Sequence, residues 1–174
     1  MIKAIIRADK KSLREKSKPV KEVDKKIREL ITNLRDTLAA QKDPEGVGLA
    51  APQIGKNLRV FVMFSGDKIR AVINPEILEV SKGKKKKRIT KNSPMEGCLS
   101  IPHFYGPLVR AEKIKLQYLD EEGKWLTRTF EGFDAQVVQH EIDHLEGILF
   151  VDRIFENNLP LYEYKDGEWV KSDL

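Results

Sequence analysis

One stretch near the end of the chain, residues 133–145, limits what the rest of the protein can fold into. Its apolar residues spread over much of a helical surface, and they are Ala135, Val137, Val138 and Ile142. Gly147 stands where such a helix would end. Because a helix that is apolar on most sides has to be buried, we expect the other elements to pack around it.

The same helix carries the pattern His-Glu-x-x-His at His140, Glu141 and His144. Four residues of an α-helix turn through about 400°, so the two imidazoles lie one turn apart on one face, with Glu141 beside them. Two imidazoles at this spacing can bind one transition metal, and the glutamate can exchange a proton with an activated water molecule. The alternative is two ordinary core histidines that hydrogen-bond to their neighbours.

The identity of the third protein ligand decides to which class of hydrolase a helix of this kind belongs. One peptidase class continues the pattern to a third histidine, but this chain has Phe150 at that position. A second class, the zinc peptidases with a glutamate ligand, would need Glu156, Glu163 or Glu168. Cys98 is the remaining candidate, since two imidazoles and a thiolate leave an open position for water. Taken alone, Cys98 could also be a buried, inert thiol.

Spacing elsewhere predicts one more long helix and a middle section rich in strands. Residues 22–41 are apolar on one face only, and the turn at residues 43–46 ends that helix. Strands are predicted at residues 58–64, 69–73, 77–80, 113–119 and 124–130. A break in the strand pattern is expected at Asn74-Pro75, and the last two of these strands form a hairpin. The sequence therefore predicts an α+β fold with antiparallel sheets packed around the central His-Glu-x-x-His helix and a further helix near the N-terminus.

The length of 174 residues favours one catalytic domain, residues 1–174. Within it, residues 1–20 are expected to form an ordered arm and residues 159–174 a strand or hairpin. The first residues contain no apolar run typical of a signal peptide, no segment is long enough to span a membrane, and the single cysteine cannot form an internal disulfide. We therefore expect a cytoplasmic monomer that does not contact membranes.

The net charge of +5 is concentrated in residues 82–91. A solvated loop accounts for such a run of lysines. Alternatively, the stretch from Lys84 to Arg88 attracts phosphate backbones without reading bases. A sequence-specific nucleic-acid binder is not expected in either case, and a basic, non-catalytic ribosome- or RNA-binding module stays open as an alternative to an enzyme.

Three stretches, in this order, resemble the signature motifs of the peptide deformylase family: residues 46–53, residues 96–100 and residues 139–147. The likeness runs to about Ile154, whereas the long basic segment and the strand-like tail depart from the family pattern. It implies that the protein removes the formyl group from the initiator methionine of nascent polypeptides. The implied cofactor is one divalent metal ion, usually Fe²⁺, for which Zn²⁺, Ni²⁺ or Co²⁺ can substitute.

The resemblance also implies a role for each motif residue. Cys98, His140 and His144 would bind the metal, and Glu141 would carry the proton. Gln53 and the backbone N–H of Leu99 would stabilise the negatively charged oxygen that develops during attack. N-formylmethionyl peptides would be the substrates. A contact between the basic loop and the ribosome is a separate expectation that rests on the charge of the loop and not on the resemblance. The expected substrate-binding residues are Gly48, Arg110, Phe133, Gln136 and Val137.

Overall fold

Antiparallel sheets dominate the fold of residues 1–81 and 94–172, the part of the chain that the computed structural model describes. The basic run from Lys84 to Arg88 lies outside the described residues. The α-helices are α1 (Lys25–Ala39), α2 (Gly132–Leu145) and α3 (Phe150–Glu156), and two short 3₁₀ helices span Lys11–Arg14 and Ala51–Ile54. The strands are β1 (Gly48–Ala50), β2 (Val60–Ser65), β3 (Lys68–Val80), β4 (Met95–Cys98), β5 (Ile101–Pro107), β6 (Lys113–Leu119), β7 (Trp125–Glu131), β8 (Tyr162–Lys165) and β9 (Glu168–Lys171). The expected α+β class is confirmed.

The larger sheet has the strand order β1-β2-β3-β6-β7 and lies between two helices. Strand β2 shows why: Phe61 and Met63 pack on one face with α2, whereas Val60 and Val62 pack on the other face with α1. Successive side chains of a strand point to opposite faces, so a strand between two helices has to be apolar throughout. Helix α2 buries nine of its 14 residues, as its apolar surface predicts.

The smaller sheet has the order β4-β5-β8-β9 and carries Cys98 at the end of β4. A small apolar cluster lies beside it, in which Cys98 packs with Phe150 and Ile154 of α3. The sequence reading did not identify α3. Its seven residues bury only two side chains four positions apart, Phe150 and Ile154, which is too short a pattern to distinguish from a strand.

Strand β3 runs through the expected break at Asn74-Pro75. The register with β6 shifts between Ile73 and Glu76, which indicates a bulge where the proline needs no ladder hydrogen bond. Asn74 has a φ of 49°. Its side chain accepts a hydrogen bond from the N–H of Val20 at 2.8 Å and donates one to the carbonyl oxygen of Val20 at 2.7 Å. The expectation of a break at this site is therefore wrong, because the bulge allows one strand to continue.

The N-terminal segment contacts all three motif stretches through its backbone. The N–H of Ile6 donates to the carbonyl of Gln53 at 2.8 Å, that of Ala8 to Ser100 at 3.1 Å, and that of Ser17 to Leu145 at 2.8 Å. At Gly147, where φ is +74°, an added Cβ would lie 2.5 Å from the carbonyl oxygen of Arg14. This close approach explains why a glycine ends α2.

Candidate metal centre

Cys98, His140 and His144 meet at the junction between β4 and α2. Each residue offers one ligand atom, and these atoms lie within 4.8 Å of one another. The Sγ of Cys98 is 3.2 Å from the Nε2 of His144, and all three side chains are buried. Two elements far apart in sequence therefore bring a thiolate and two imidazoles to one point.

The protonation of this cluster favours a thiolate. Burial raises the pKa of the Cys98 thiol, but the His144 and His140 imidazoles outweigh it and hold the pKa well below its ordinary value. A thiolate is the form of cysteine that binds a metal. Burial by itself lowers the pKa of His140. Hydrogen bonds to Cys98 and Glu96 outweigh this effect and raise the pKa well above its ordinary value. Binding of a cation displaces that proton, because a metal ligand has to be the neutral imidazole.

Glu96 fixes the orientation of His140. One of its carboxylate oxygens lies 2.7 Å from the Nδ1 of His140, so the Nε2 of that ring is left to face the cluster. Arg110 donates to both oxygens of Glu96 at 2.6 and 3.0 Å. Burial raises the pKa of Glu96, but the bonds from His140 and Arg110 outweigh it and lower the pKa to about 2.

The network continues from Arg110 to α2 and α3. Arg110 donates to Asp143 at 2.7 Å, and Arg153 donates to the same carboxylate at 2.8 and 3.2 Å. Glu96, Arg110 and Asp143 are all nearly inaccessible to solvent. These buried charges are paired, which removes the main penalty of burying them. The sequence pattern places Glu96 in the motif around Cys98 but does not predict this role.

Glu141 lies beside the cluster and faces Gly48. A Cβ added at Gly48 would overlap the Oε1 of Glu141 and lie 2.9 Å from its Cδ. The Oε2 of Glu141 is buried and has no hydrogen-bond partner among the described residues. Burial raises the pKa of Glu141 to about 7, against the opposing effect of the two imidazoles. A carboxylate with a pKa near neutrality can both accept and return a proton.

Gln53 directs its amide nitrogen at the cluster. Its Oε1 accepts a hydrogen bond from the N–H of Ala50 at 2.8 Å, which turns the Nε2 toward Ser100 Oγ at 3.2 Å and Cys98 Sγ at 3.6 Å. The side chain is buried, so Gln53 is not a solvent-facing residue of the glycine-rich turn. Ser100 was not singled out from sequence, although it closes the same motif as Cys98.

A cavity opens directly over this cluster. Cys98 and His140 of the cluster line it, and so do Glu141 and Leu99. Four of the five expected substrate contacts also line it: Gly48, Phe133, Gln136 and Val137. Arg110 does not, because its guanidinium is held by Glu96 and Asp143. Its contacts give no support to a role in binding a peptide.

The residues present fit a divalent transition metal. The donor set of one thiolate and two imidazoles suits a borderline or soft ion and leaves a coordination position open. One of the imidazoles has the carboxylate partner that metal-bound histidines usually have. The glutamate alternatives are placed elsewhere: Glu156 pairs with Arg153 at 3.4 Å, and Glu163 and Glu168 lie on the tail strands.

A family model described as polypeptide deformylase matches residues 2–159. The chain belongs to the peptide deformylase family. A peptide deformylase from Treponema pallidum strain Nichols is 50% identical over 111 residues, which cover 64% of this chain and 64% of that protein. One from Thermotoga maritima is 44% identical over 110 residues, with 63% of each chain covered. The aligned part thus spans slightly less than two thirds of these relatives.

Solved deformylase structures match over a longer stretch. The crystal structure of the Thermotoga maritima peptide deformylase superposes with a TM-score of 0.78 at 37% identity and covers 87% of this chain and 97% of that chain. An actinonin-bound class I type b peptide deformylase from Acinetobacter baumannii gives a TM-score of 0.77 at 32% identity, with 88% and 99% covered. The family fold is therefore shared almost throughout.

Proposed function

We propose that this protein removes the N-formyl group from the initiator methionine of nascent polypeptides and releases formate. The observation that carries this proposal is the buried group of Cys98, His140 and His144, with Glu141 beside it and the cavity above it. Membership in the deformylase family supports the same activity. The reaction is hydrolysis of a linear formamide bond.

A divalent ion held by the thiolate and the two imidazoles would supply hydroxide near neutral pH by Lewis acidity. Glu141 would accept the proton that the attacking water loses and later donate it to the departing amine, which must leave as a neutral group. Its unpartnered Oε2 and its raised pKa are consistent with this use. Glu96 would keep the His140 ring in place during these steps.

Gln53 would stabilise the negative oxygen of the tetrahedral intermediate. Its Nε2 is held toward Cys98 by the bond between its Oε1 and Ala50, so the donor is in position before the substrate binds. The backbone N–H of Leu99, the residue after Cys98, is the second donor that we propose. Preorganised donors of this kind typically contribute about 3 to 4 kcal/mol each to transition-state stabilisation.

The substrate peptide would bind in an extended conformation along β1. Among the described strands, β1 pairs with β2 alone, so its other edge is free to add a strand. Gly48 lies on this strand and also lines the cavity. Phe133, Gln136 and Val137, from the first turns of α2, would contact the methionine side chain.

For the metal, we propose Fe²⁺, with Zn²⁺, Ni²⁺ or Co²⁺ able to substitute. Mixed thiolate and imidazole ligation accepts each of these ions, and the ion in the cell depends on availability as well as on affinity. Metal analysis of protein purified without oxygen identifies the ion directly. A stoichiometric content of any of these ions with full activity is expected.

The decisive experiment measures formate release from formyl-Met-Ala by the metal-loaded protein. Acetyl-Met-Ala serves as the control substrate, because it has the same peptide but no formyl group. We expect formate from the first and no hydrolysis of the second. Failure to release formate at any metal loading would reject the proposed function.

The Cys98→Ala variant distinguishes the proposed deformylase from a zinc peptidase with a glutamate ligand. We expect this variant to lose most of its bound metal, because one of three protein ligands is gone. Retention of metal at full occupancy would favour the peptidase. The third alternative, a basic RNA- or ribosome-binding module, depends on Lys84 to Arg88, and it predicts binding that survives chelation and weakens steeply with salt.

We further propose one catalytic domain over residues 1–174, acting as a monomer in the cytoplasm, where nascent chains carry their initiator methionine. The backbone bonds from residues 6, 8 and 17 to the motif stretches support the single domain. A contact with the ribosome through the basic run is a further part of this proposal. In the described ranges, none of the helices combines the length and hydrophobicity needed to cross a lipid bilayer.

A further inference from the structure

The C-terminal hairpin of β8 and β9 presents a row of aromatic side chains next to the cavity. Tyr105 of β5 lies opposite Tyr162 of β8, and Tyr164 of β8 lies opposite Trp169 of β9. Residues directly opposite on neighbouring strands, and residues two apart on one strand, share a face of the sheet. These four side chains, named the aromatic row below, therefore lie on one face.

Three rings of the aromatic row, those of Tyr105, Tyr164 and Trp169, are in contact. Tyr105 and Trp169 meet edge-on with centroids 5.2 Å apart, and Tyr164 and Trp169 lie 4.9 Å apart. Phe104, the neighbour of Tyr105 in the chain, packs instead against the apolar cluster beside α3. One face of the smaller sheet thus covers a core, while the other carries the aromatic row.

The aromatic row is continuous with the cavity over the metal ligands. Tyr105 itself lines that cavity. Its ring packs over Gly97, where an added Cβ would lie 2.6 Å from two ring carbons, so the ring is held beside the residue that precedes Cys98. Tyr105 therefore connects the cavity to Trp169.

The outer members of the row are exposed. Trp169 is 52% and Tyr164 is 43% accessible to solvent. Large aromatic side chains at the rim of a binding cavity are frequent anchors for ligands, because they offer a rigid apolar surface at low entropic cost. The hairpin also lies beyond residue 159, where the match to the deformylase family model ends.

We infer that the aromatic row binds apolar side chains of the substrate peptide downstream of the formylated methionine. This inference rests on the proposed function, in which a nascent chain leaves the cavity across its rim. An extended peptide advances about 3.3 Å per residue, so the 5.2 Å between the rings of Tyr105 and Trp169 corresponds to fewer than two residues. About two consecutive residues can therefore contact the row, and our inference assigns this contact to the third and fourth residues of the peptide.

The test compares two formylated tetrapeptides, formyl-Met-Ala-Leu-Leu and formyl-Met-Ala-Ser-Ser. Both downstream positions change together, because alternate side chains of an extended peptide point in opposite directions and only one of them faces the row. Each kcat/KM is divided by that of the same enzyme on formyl-Met-Ala, which lacks both of these downstream residues. We expect the wild type to prefer the leucine peptide by about three- to tenfold.

Trp169→Ala should reduce this preference to less than about twofold. The matched control is Trp125→Ala, since Trp125 is also 52% exposed but lies on β7 of the other sheet, and it should keep the wild-type preference. Thermal unfolding of each variant measures the purely structural contribution of the cross-strand pair of Trp169 and Tyr164. An unchanged preference in Trp169→Ala, with or without a lower Tm, would overturn the inference.

A binding measurement keeps the inference testable even if the proposed function fails. The Trp125→Phe variant contains Trp169 as its one tryptophan, so its emission reports on the aromatic row. Titration with the unformylated peptide Met-Ala-Leu-Leu should change this emission at lower concentration than Met-Ala-Ser-Ser does. Equal responses to the two peptides would count against the row as a peptide site, whereas absence of formate release from formyl-Met-Ala would count against the deformylase activity.

Discussion

Gly48→Ala tests how closely the β1 backbone approaches Glu141, the proposed proton carrier. The new Cβ would overlap Glu141 Oε1 and lie 2.9 Å from Cδ, whereas ordinary contacts begin at 3.4 Å. Glu141 therefore has to move by at least about 0.5 Å, and misplacement of a reacting group by about 1 Å can cost roughly 100-fold in rate. We expect kcat for formate release to fall by about 10- to 100-fold, equivalent to about 1.4 to 2.7 kcal/mol.

A double-mutant cycle shows whether that loss acts through Glu141. The added Cβ would also lie 3.0 Å from Val137 Cγ1, so a general disturbance of α2 has to be separated from displacement of the carboxylate. In a Glu141→Ala background the clash with the carboxylate is gone, and adding Gly48→Ala should cost less than about threefold further. Metal content should stay at the wild-type level in all four proteins. An additive loss, or a Gly48→Ala enzyme within threefold of wild type, would refute the steric reasoning.

The remaining predictions concern the oxyanion donor, the buried charge network and the ion. Gln53→Leu should lower kcat by about 100- to 1,000-fold with little change in KM, and a change in KM alone would contradict the role. Arg110→Met should lower the free energy of unfolding in urea by about 3 kcal/mol or more, because Glu96 loses two hydrogen bonds in a buried site; a loss below about 1 kcal/mol would show that the network is not stabilising. Chelation should abolish formate release and lower Tm, and Ni²⁺ or Co²⁺ should restore both; a fully active chelated protein would exclude metal catalysis.

The local spacing of apolar residues predicts much of the fold. The hairpin predicted at residues 113–119 and 124–130 matches β6 and β7 to within one residue, because a four-residue polar turn separates two alternating runs. Helices α1 and α2 likewise follow from their apolar spacing. Both patterns depend only on residues close in sequence, which is why they can be read without the tertiary structure.

The departures come from contacts between distant residues. The continuity of β3 through Pro75 depends on a bulge and on the side chain of Asn74 bonding to Val20, which is 54 positions away. Helix α3 forms because Phe150 and Ile154 pack beside Cys98. Neither partner is adjacent in sequence, so local spacing gives no signal for these features.

In the site, too, some residues are predicted from local spacing, whereas the roles of others depend on contacts between distant residues. The proposed metal ligands are predicted from the types and spacing of residues on one helix together with the motif around Cys98. The position of Arg110 could not be read similarly, because its charge suits a substrate carboxylate or peptide carbonyl as well as the buried carboxylates of Glu96 and Asp143. Only the folded chain shows that Glu96 lies between Arg110 and His140.

The central claim is that Glu141 moves the proton while the cysteine and the two histidines hold the metal. The most direct test is Glu141→Ala, purified without oxygen and assayed in parallel for metal content and formate release from formyl-Met-Ala. The account predicts a metal-to-protein ratio equal to that of the wild type together with a loss of activity of at least about 100-fold, the range typical of general acid–base catalysis. A Glu141→Ala protein that keeps both its metal and full activity would contradict it.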